Sequence, residues 1–202
     1  AGCVIPTTSE AGSGGSTTAE SCEAFTACGG TLDGTWQIYS ACVDGELAEA
    51  TFAQSGAPEA CRSLYSSVEL AASGTLSYSG TTETSRLLLR STTTALYTQE
   101  CAQALNGDST TVTAESCANV ESSLSDATTT ATCNFDGDAL CTCKIVRMLD
   151  AGSAVDTYAA KDGTLSYLSS SNTMQYCVQG TTARFRAKLQ EGIDFEVSAR
   201  LQ

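Results

Sequence analysis

The sequence predicts a mainly β protein: an antiparallel up-and-down β-barrel or meander, with one or two short helices and several disulfides. Three observations predict it. Strand-like runs recur at near-regular spacing, separated by short polar turns that carry glycine. Eleven cysteines are spread over nearly the whole chain. Charged residues make up only 16% of it, against about a quarter in ordinary soluble chains, and Ser, Thr, Gly and Ala take their place. With 202 residues the chain is long enough for one domain with a proper core.

Residues 1–21 read as a flexible arm, and residues 22–202 as a single disulfide-stapled barrel domain. Thr7 to Ser21 is almost all Ser, Thr, Gly, Ala and Glu, too little apolar surface to offset its ordering entropy. The start, Cys3-Val4-Ile5-Pro6, has the β-branched character to pair with a sheet edge. Val4 and Ile5 are therefore the candidate assembly residues.

From Cys28 onward the pattern is strand and turn. Leu32–Cys42, with Trp36, Ile38 and Tyr39, reads as the first strand. Ser63–Ala71, Gly74–Ser79, Arg86–Arg90 and Thr92–Tyr97 follow. Gln99–Leu105 reads as a helix that stops at Asn106-Gly107, and Ala114–Leu124 as a second short helix. Strands resume over Thr129–Phe135, Ala139–Leu149, Ala154–Ala160, Thr164–Leu168, Met174–Val178, Thr182–Leu189 and Ile193–Leu201. Asp136-Gly137, Asp162-Gly163, Gln179-Gly180 and Glu191-Gly192 supply the turns, with glycine where positive φ is needed. Gly74-Thr75-Leu76-Ser77-Tyr78 recurs as Gly163-Thr164-Leu165-Ser166-Tyr167, which reads as strands re-using the same residue types.

The last hairpin can be argued residue by residue. Ala183, Phe185, Ala187 and Leu189 alternate with Arg184, Arg186 and Lys188. Ile193, Phe195, Val197, Ala199 and Leu201 alternate with Asp194, Glu196, Ser198 and Arg200. A three-residue loop, Gln190-Glu191-Gly192, pairs Leu189 with Ile193, Lys188 with Asp194 and Arg186 with Glu196.

Cysteine usage points to an oxidising compartment. Cys22, Cys28, Cys42, Cys61, Cys101, Cys117, Cys133, Cys141, Cys143 and Cys177 are expected to form disulfides. Cys141 and Cys143 lie on one face of a strand and should bond to two different partners. Cys3 is the odd one out, and is expected to be free, cross-linked to a second copy or lipidated. Ala1-Gly2-Cys3 looks like the tail of a bacterial lipobox, and a membrane partner is expected only if Cys3 is acylated. A secreted or outer-surface location implies a leader removed ahead of Ala1.

Several classes of chemistry find no footing. The chain has no histidine and no CxxC pair, so zinc and iron–sulfur sites have little support. Ser-His-Asp and Cys-His mechanisms are excluded. Lys144, Lys161 and Lys188 sit in no serine–lysine motif. Asn134-Phe135-Asp136-Gly137-Asp138 lacks the glycine and final glutamate of a calcium loop and reads as a hairpin turn. A net charge of −13 repels phosphate backbones, so no nucleic-acid partner is expected. No cofactor, metal or enzymatic activity is expected.

Gly34-Thr35-Trp36 follows Cys28-Gly29-Gly30, with Cys141-Thr142-Cys143 in mid-chain and Tyr176-Cys177-Val178 late. In these elements the sequence resembles the lipocalin-like (calycin) proteins, and more closely a cysteine-rich group of secreted bacterial proteins and lipoproteins. The resemblance runs from about Cys28 to the C-terminus. It implies a barrel closed at one end by the Trp36 indole, and a small-molecule pocket. It also implies an arginine on the last strand packed against the tryptophan. Arg200 is that candidate, although its parity turns it outward.

Two functions are expected. The first is a non-catalytic extracellular or cell-surface structural protein with a protein partner, or copies of itself, engaged through the arm. The alternative is a lipocalin-like carrier of a small apolar ligand, its pocket lined by Trp36, Tyr39, Tyr167, Tyr176, Phe185 and Phe195.

Overall fold

A computed structural model describes residues 22–107, 110–190 and 193–202. The arm, with Cys3, Val4 and Ile5, lies outside the described residues. The chain runs β1 (Gly34–Asp44), α1 (Leu47–Ser55), a 3-10 helix (Glu59–Tyr65), β2 (Ser67–Ser79), β3 (Thr82–Thr98), α2 (Gln99–Asn106), α3 (Ala114–Leu124), β4 (Thr129–Phe135), β5 (Leu140–Lys161), β6 (Thr164–Tyr167), β7 (Thr173–Gln179), β8 (Thr182–Gln190) and β9 (Ile193–Leu201).

These strands form one mainly antiparallel sheet in the order β3-β2-β1-β9-β8-β7-β6-β5-β4, and β3 pairs in addition with β5. That pairing closes the sheet into a ring, with β4 outside it, alongside the N-terminal half of β5. The fold class read from the sequence is the one observed.

The turns follow their residue types. Asp162 (φ 51°) and Gly163 (φ 76°) join β5 to β6, a left-handed pair that asparagine-like and glycine residues tolerate best. Thr98 caps α2, its side chain accepting from the Cys101 N–H, and the Gly107 N–H closes the other end on the Gln103 carbonyl. Thr113 and Ser116 form a reciprocal capping box at the start of α3.

Where the sequence pattern shows two strands, the structure has one. Residues 63–71 and 74–79 fall within a single β2 that begins only at Ser67, 86–90 and 92–97 within β3, and 139–149 and 154–160 within β5. Neither Gly74 nor Gly152 ends its strand: the β2–β3 ladder runs straight through Gly74, and the β3–β5 ladder resumes on both sides of the register shift at which Gly152 lies. Ser63 belongs to the 3-10 helix instead, held there as the Cys61–Cys101 disulfide ties this turn to α2. That helix and α1 add to the two helices the sequence shows.

The last hairpin keeps Arg186 opposite Glu196 and Lys188 opposite Asp194, but Ile193 pairs with Gln190 rather than Leu189. A register shift between Lys188 and Gln190 makes the difference. The ion pairs run diagonally: Arg184 to Glu196 at 2.5 Å, and Arg186 to Asp44 at 2.5 Å and Asp194 at 3.5 Å.

The long strands carry two cores. Inside the ring are Trp36, Ile38, Leu76, Tyr78, Leu165 and Phe185, among others. Beyond it, β3, β4 and β5 are covered by α2, α3 and the 3-10 helix over a second cluster with Ala95, Tyr97, Val112 and the buried cysteines. At the bend between the two, a Cβ on Gly74 would sit 2.0 Å from the Arg86 carbonyl oxygen, at a φ of +132°. Gly74→Ala should therefore cost about 2–4 kcal/mol, read as a lower urea midpoint with an unchanged slope. An unaltered midpoint would show that the backbones separate there freely.

Candidate ligand cavity and its buried carboxyl

The inward parity of β1, β2, β8 and β9 fills one end of the ring and leaves a cavity of about 270 Å3 above it. Ile38, Leu76, Phe185 and Val197 form its apolar wall, with Met174 and Phe195 beside them. Gly152 and Ala154, exposed on β5, line its solvent side. Among the described residues, β5 has a strand partner on this side only where it meets β4, up to Arg147, and β6, from Tyr158.

One ionisable group is set into this wall. Glu83 is 7% exposed, and the Tyr167 hydroxyl donates to its Oε2 at 2.6 Å. The turn after Ser79 places Glu83 opposite Tyr78. The Tyr78 ring stacks on Phe185, centroids 5.9 Å apart, and meets Tyr158 edge-on at 5.3 Å. Its hydroxyl is buried beside Glu83 and Tyr167 without a hydrogen bond of good geometry to either. The two copies of Gly-Thr-Leu-Ser-Tyr thus end on the two tyrosines that flank Glu83.

Burial pushes the Glu83 carboxyl above the usual glutamate range, and nearby Asp156 adds to this. The Tyr167 hydrogen bond opposes the rise and is outweighed. Burial first, then the Glu83 charge, raises the Tyr167 and Tyr78 phenols. No described Lys or Arg forms an ion pair with Glu83.

Of the aromatic residues expected in the pocket, Tyr167, Phe185 and Phe195 line the cavity. Trp36 and Tyr176 are buried in the core but do not line it. The Trp36 indole N–H donates to the Leu32 carbonyl at 2.7 Å, and the Tyr176 hydroxyl to the Gly30 carbonyl at 3.4 Å. Tyr39 does not belong to the pocket: it is 53% exposed, at a bulge between Ile38 and Ser40. Its parity is opposite to that of Trp36, so the alternation already turned it outward. Arg200 does not pack on the indole, since its guanidinium lies 5.4 Å from the Tyr39 ring on the outer surface.

Sequence reasoning missed Glu83 and Tyr78. A signal was present: carrying the Leu76/Tyr78 alternation across the two-residue turn Gly80-Thr81 puts Glu83 on the inner face.

The disulfides are Cys22–Cys42, Cys28–Cys177, Cys61–Cys101, Cys117–Cys141 and Cys133–Cys143. Cys141 and Cys143 thus take separate partners. The two groupings of metal-type side chains among the described residues, Cys133/Cys141/Cys143 and Cys22/Cys42/Glu196, consist mostly of cysteines already bonded to one another. Asn134 and Phe135 end β4 and residues 136–139 form the β4–β5 turn, where the Asp136 carboxylate accepts from the Asp138 N–H at 2.9 Å.

Residues 22–30 cross the outside of the ring as a strap. One end is bonded to β1 through Cys42 and the other to β7 through Cys177. Between them Arg184 donates to the Glu23 and Ala24 carbonyls at 2.9 and 3.2 Å. Phe25 lies under the guanidinium groups of Arg184 and Arg186. The strap explains why Glu196, outward by parity, is only 2% exposed.

A wider open groove of about 1010 Å3 lies between α1, the 3-10 helix and the start of β2. Its one guanidinium, Arg62, is already tied to Glu49 and Glu59, so the ring cavity is the stronger candidate. A scan against protein-family models and searches of curated proteins and of solved structures found no match.

Because the folded chain raises the Glu83 pKa, it holds a proton that the unfolded chain gives up. The stability tied to this group is fully present below the ordinary glutamate range and is lost as pH rises through the raised value. The urea midpoint of the wild-type chain, compared with that of Glu83→Gln, should therefore fall as pH rises across that window. A constant difference between the two would show that Glu83 titrates as an exposed glutamate.

Proposed function

We propose that this protein is a non-catalytic binder of a small, largely apolar molecule, held in the ring cavity, and that it works outside the cell. The cavity carries the reading: an apolar interior of about 270 Å3 beside a buried polar group, the usual make-up of a small-molecule site. At about 30 Å3 per water in the liquid, it suits a molecule of one substituted aromatic ring rather than a long lipid. The lipocalin-like resemblance of the sequence supports the same reading. The five disulfides suit an oxidising compartment, and among the described residues no helix is long and apolar enough to cross a membrane.

Propylbenzene is a suitable probe. It should bind the wild-type protein in a calorimetric or NMR titration. Ala154→Trp, which fills the solvent side of the cavity from an exposed position, should weaken it at least about tenfold, or 1.4 kcal/mol. Equal affinity for both chains, or no binding by the wild type of either propylbenzene or a charged molecule of the same shape, would sink the reading.

A second reading, assembly through the arm, is favoured by one observation. Residues 149–156 of β5 lack a described strand partner on the cavity side. Nearby Met148, Leu149 and Val155 are 39%, 44% and 71% exposed. Such an edge accepts an added strand, and Val4 and Ile5 of a second copy suit it. Light scattering of the full chain and of a chain lacking residues 1–21 tests this: association should vanish with the arm, and association that survives its removal rules the reading out.

A further inference from the structure

Resting on the cavity reading above, we propose that the ligand is an amine: a compact apolar body whose ammonium group binds the carboxylate of Glu83.

The cavity wall is apolar except for Glu83, Tyr167 and Ser85, and of these Glu83 is an acid without a base among the described residues. Groups facing Glu83 from the neighbouring strands are Tyr78 on β2, Asp156 and Tyr158 on β5, and Tyr167 on β6. None carries a positive charge. An ionised carboxylate in such a place is costly unless paired. A neutral ligand gives the ionised form no partner, and a carboxylic acid would set two carboxyls side by side. An ammonium group supplies one.

The geometry suits such a guest. A carboxylate has about four acceptor sites, and Tyr167 takes one on Oε2. The Tyr78 hydroxyl is buried beside Glu83 and Tyr167 and does not line the cavity, so the carboxylate itself supplies the acceptors for the ammonium N–H groups. Phe185 and Phe195 line the same space, and aromatic faces attract cations. Asp156, opposite Glu83 across the β3–β5 pair, and the net charge of −13 add an attractive field. The ammonium keeps its proton and pairs with the ionised form of Glu83, any proton on the carboxyl passing to solvent, so no bond to carbon forms or breaks.

The test compares 2-phenylethylamine with propylbenzene, which has the same shape and no charge, on the full chain at pH 5 and pH 8. The expected result is that the amine binds at least tenfold more tightly at pH 8, that its advantage shrinks at pH 5, and that Glu83→Gln abolishes the advantage. If the hydrocarbon binds as well as the amine at both pH values, the amine assignment is overturned while the cavity reading stands. If neither binds, both fall. An amine preference that Glu83→Gln leaves intact would also overturn the assignment. The wild-type pH comparison decides the matter even if the variant fails to fold.

Discussion

The pairing of β3 with β5 is the contact on which the rest of the molecule depends. It runs from Thr82↔Thr157 to Thr98↔Leu140, with one irregularity between Arg86 and Leu88. An open sheet exposes two edges of unpaired backbone groups, and this pairing joins the far side of the sheet back to its start. The same two strands then run on past the ring and form the floor of the second core. Gly74 and the β3–β5 irregularity lie at the same level, so the bend separating the cores is a feature of all the long strands together.

Neither core is large, and charge does little to hold them. Four of the five disulfides secure elements outside the sheet: Cys61–Cys101 and Cys117–Cys141 tie helices to the second core, and the strap is bonded at both ends, while Cys133–Cys143 joins opposed residues of β4 and β5. Cross-links of this kind are each worth about 2–4 kcal/mol, more for longer loops. Under the strap, Glu196 is compensated by Arg184, which is itself held by the strap carbonyls. Removing one partner of such a pair is far more damaging than never having had it.

The cavity and its acid belong together. Closing the ring creates an interior that the side chains of β1, β2, β8 and β9 fill at one end only. Glu83 reaches it because a tight hairpin carries the inward parity of β2 into β3, and Tyr167 arrives from the opposite wall to satisfy one of its oxygens. The remaining demand of that carboxylate sets the chemistry a guest must supply.

Local pattern determined much of this protein. Period-two alternation identified the strands and the inward set Ala183, Phe185 and Val197. Cap and turn residues placed the end of α2 and the Asp162-Gly163 hairpin. The even spread of cysteines indicated disulfides. All of these depend on neighbours within a few residues, which is why the sequence alone carries them. Other features came only with the tertiary structure: the disulfide connectivity, the closure through β3 and β5, the fusion of strand pairs at Gly74 and Gly152, the burial of Glu196 and the environment of Glu83. Tyr167 and Glu83 are 84 residues apart in sequence, and Cys28 and Cys177 are 149 apart. No periodicity spans such distances, so their partners were decided by which walls the ring brought together.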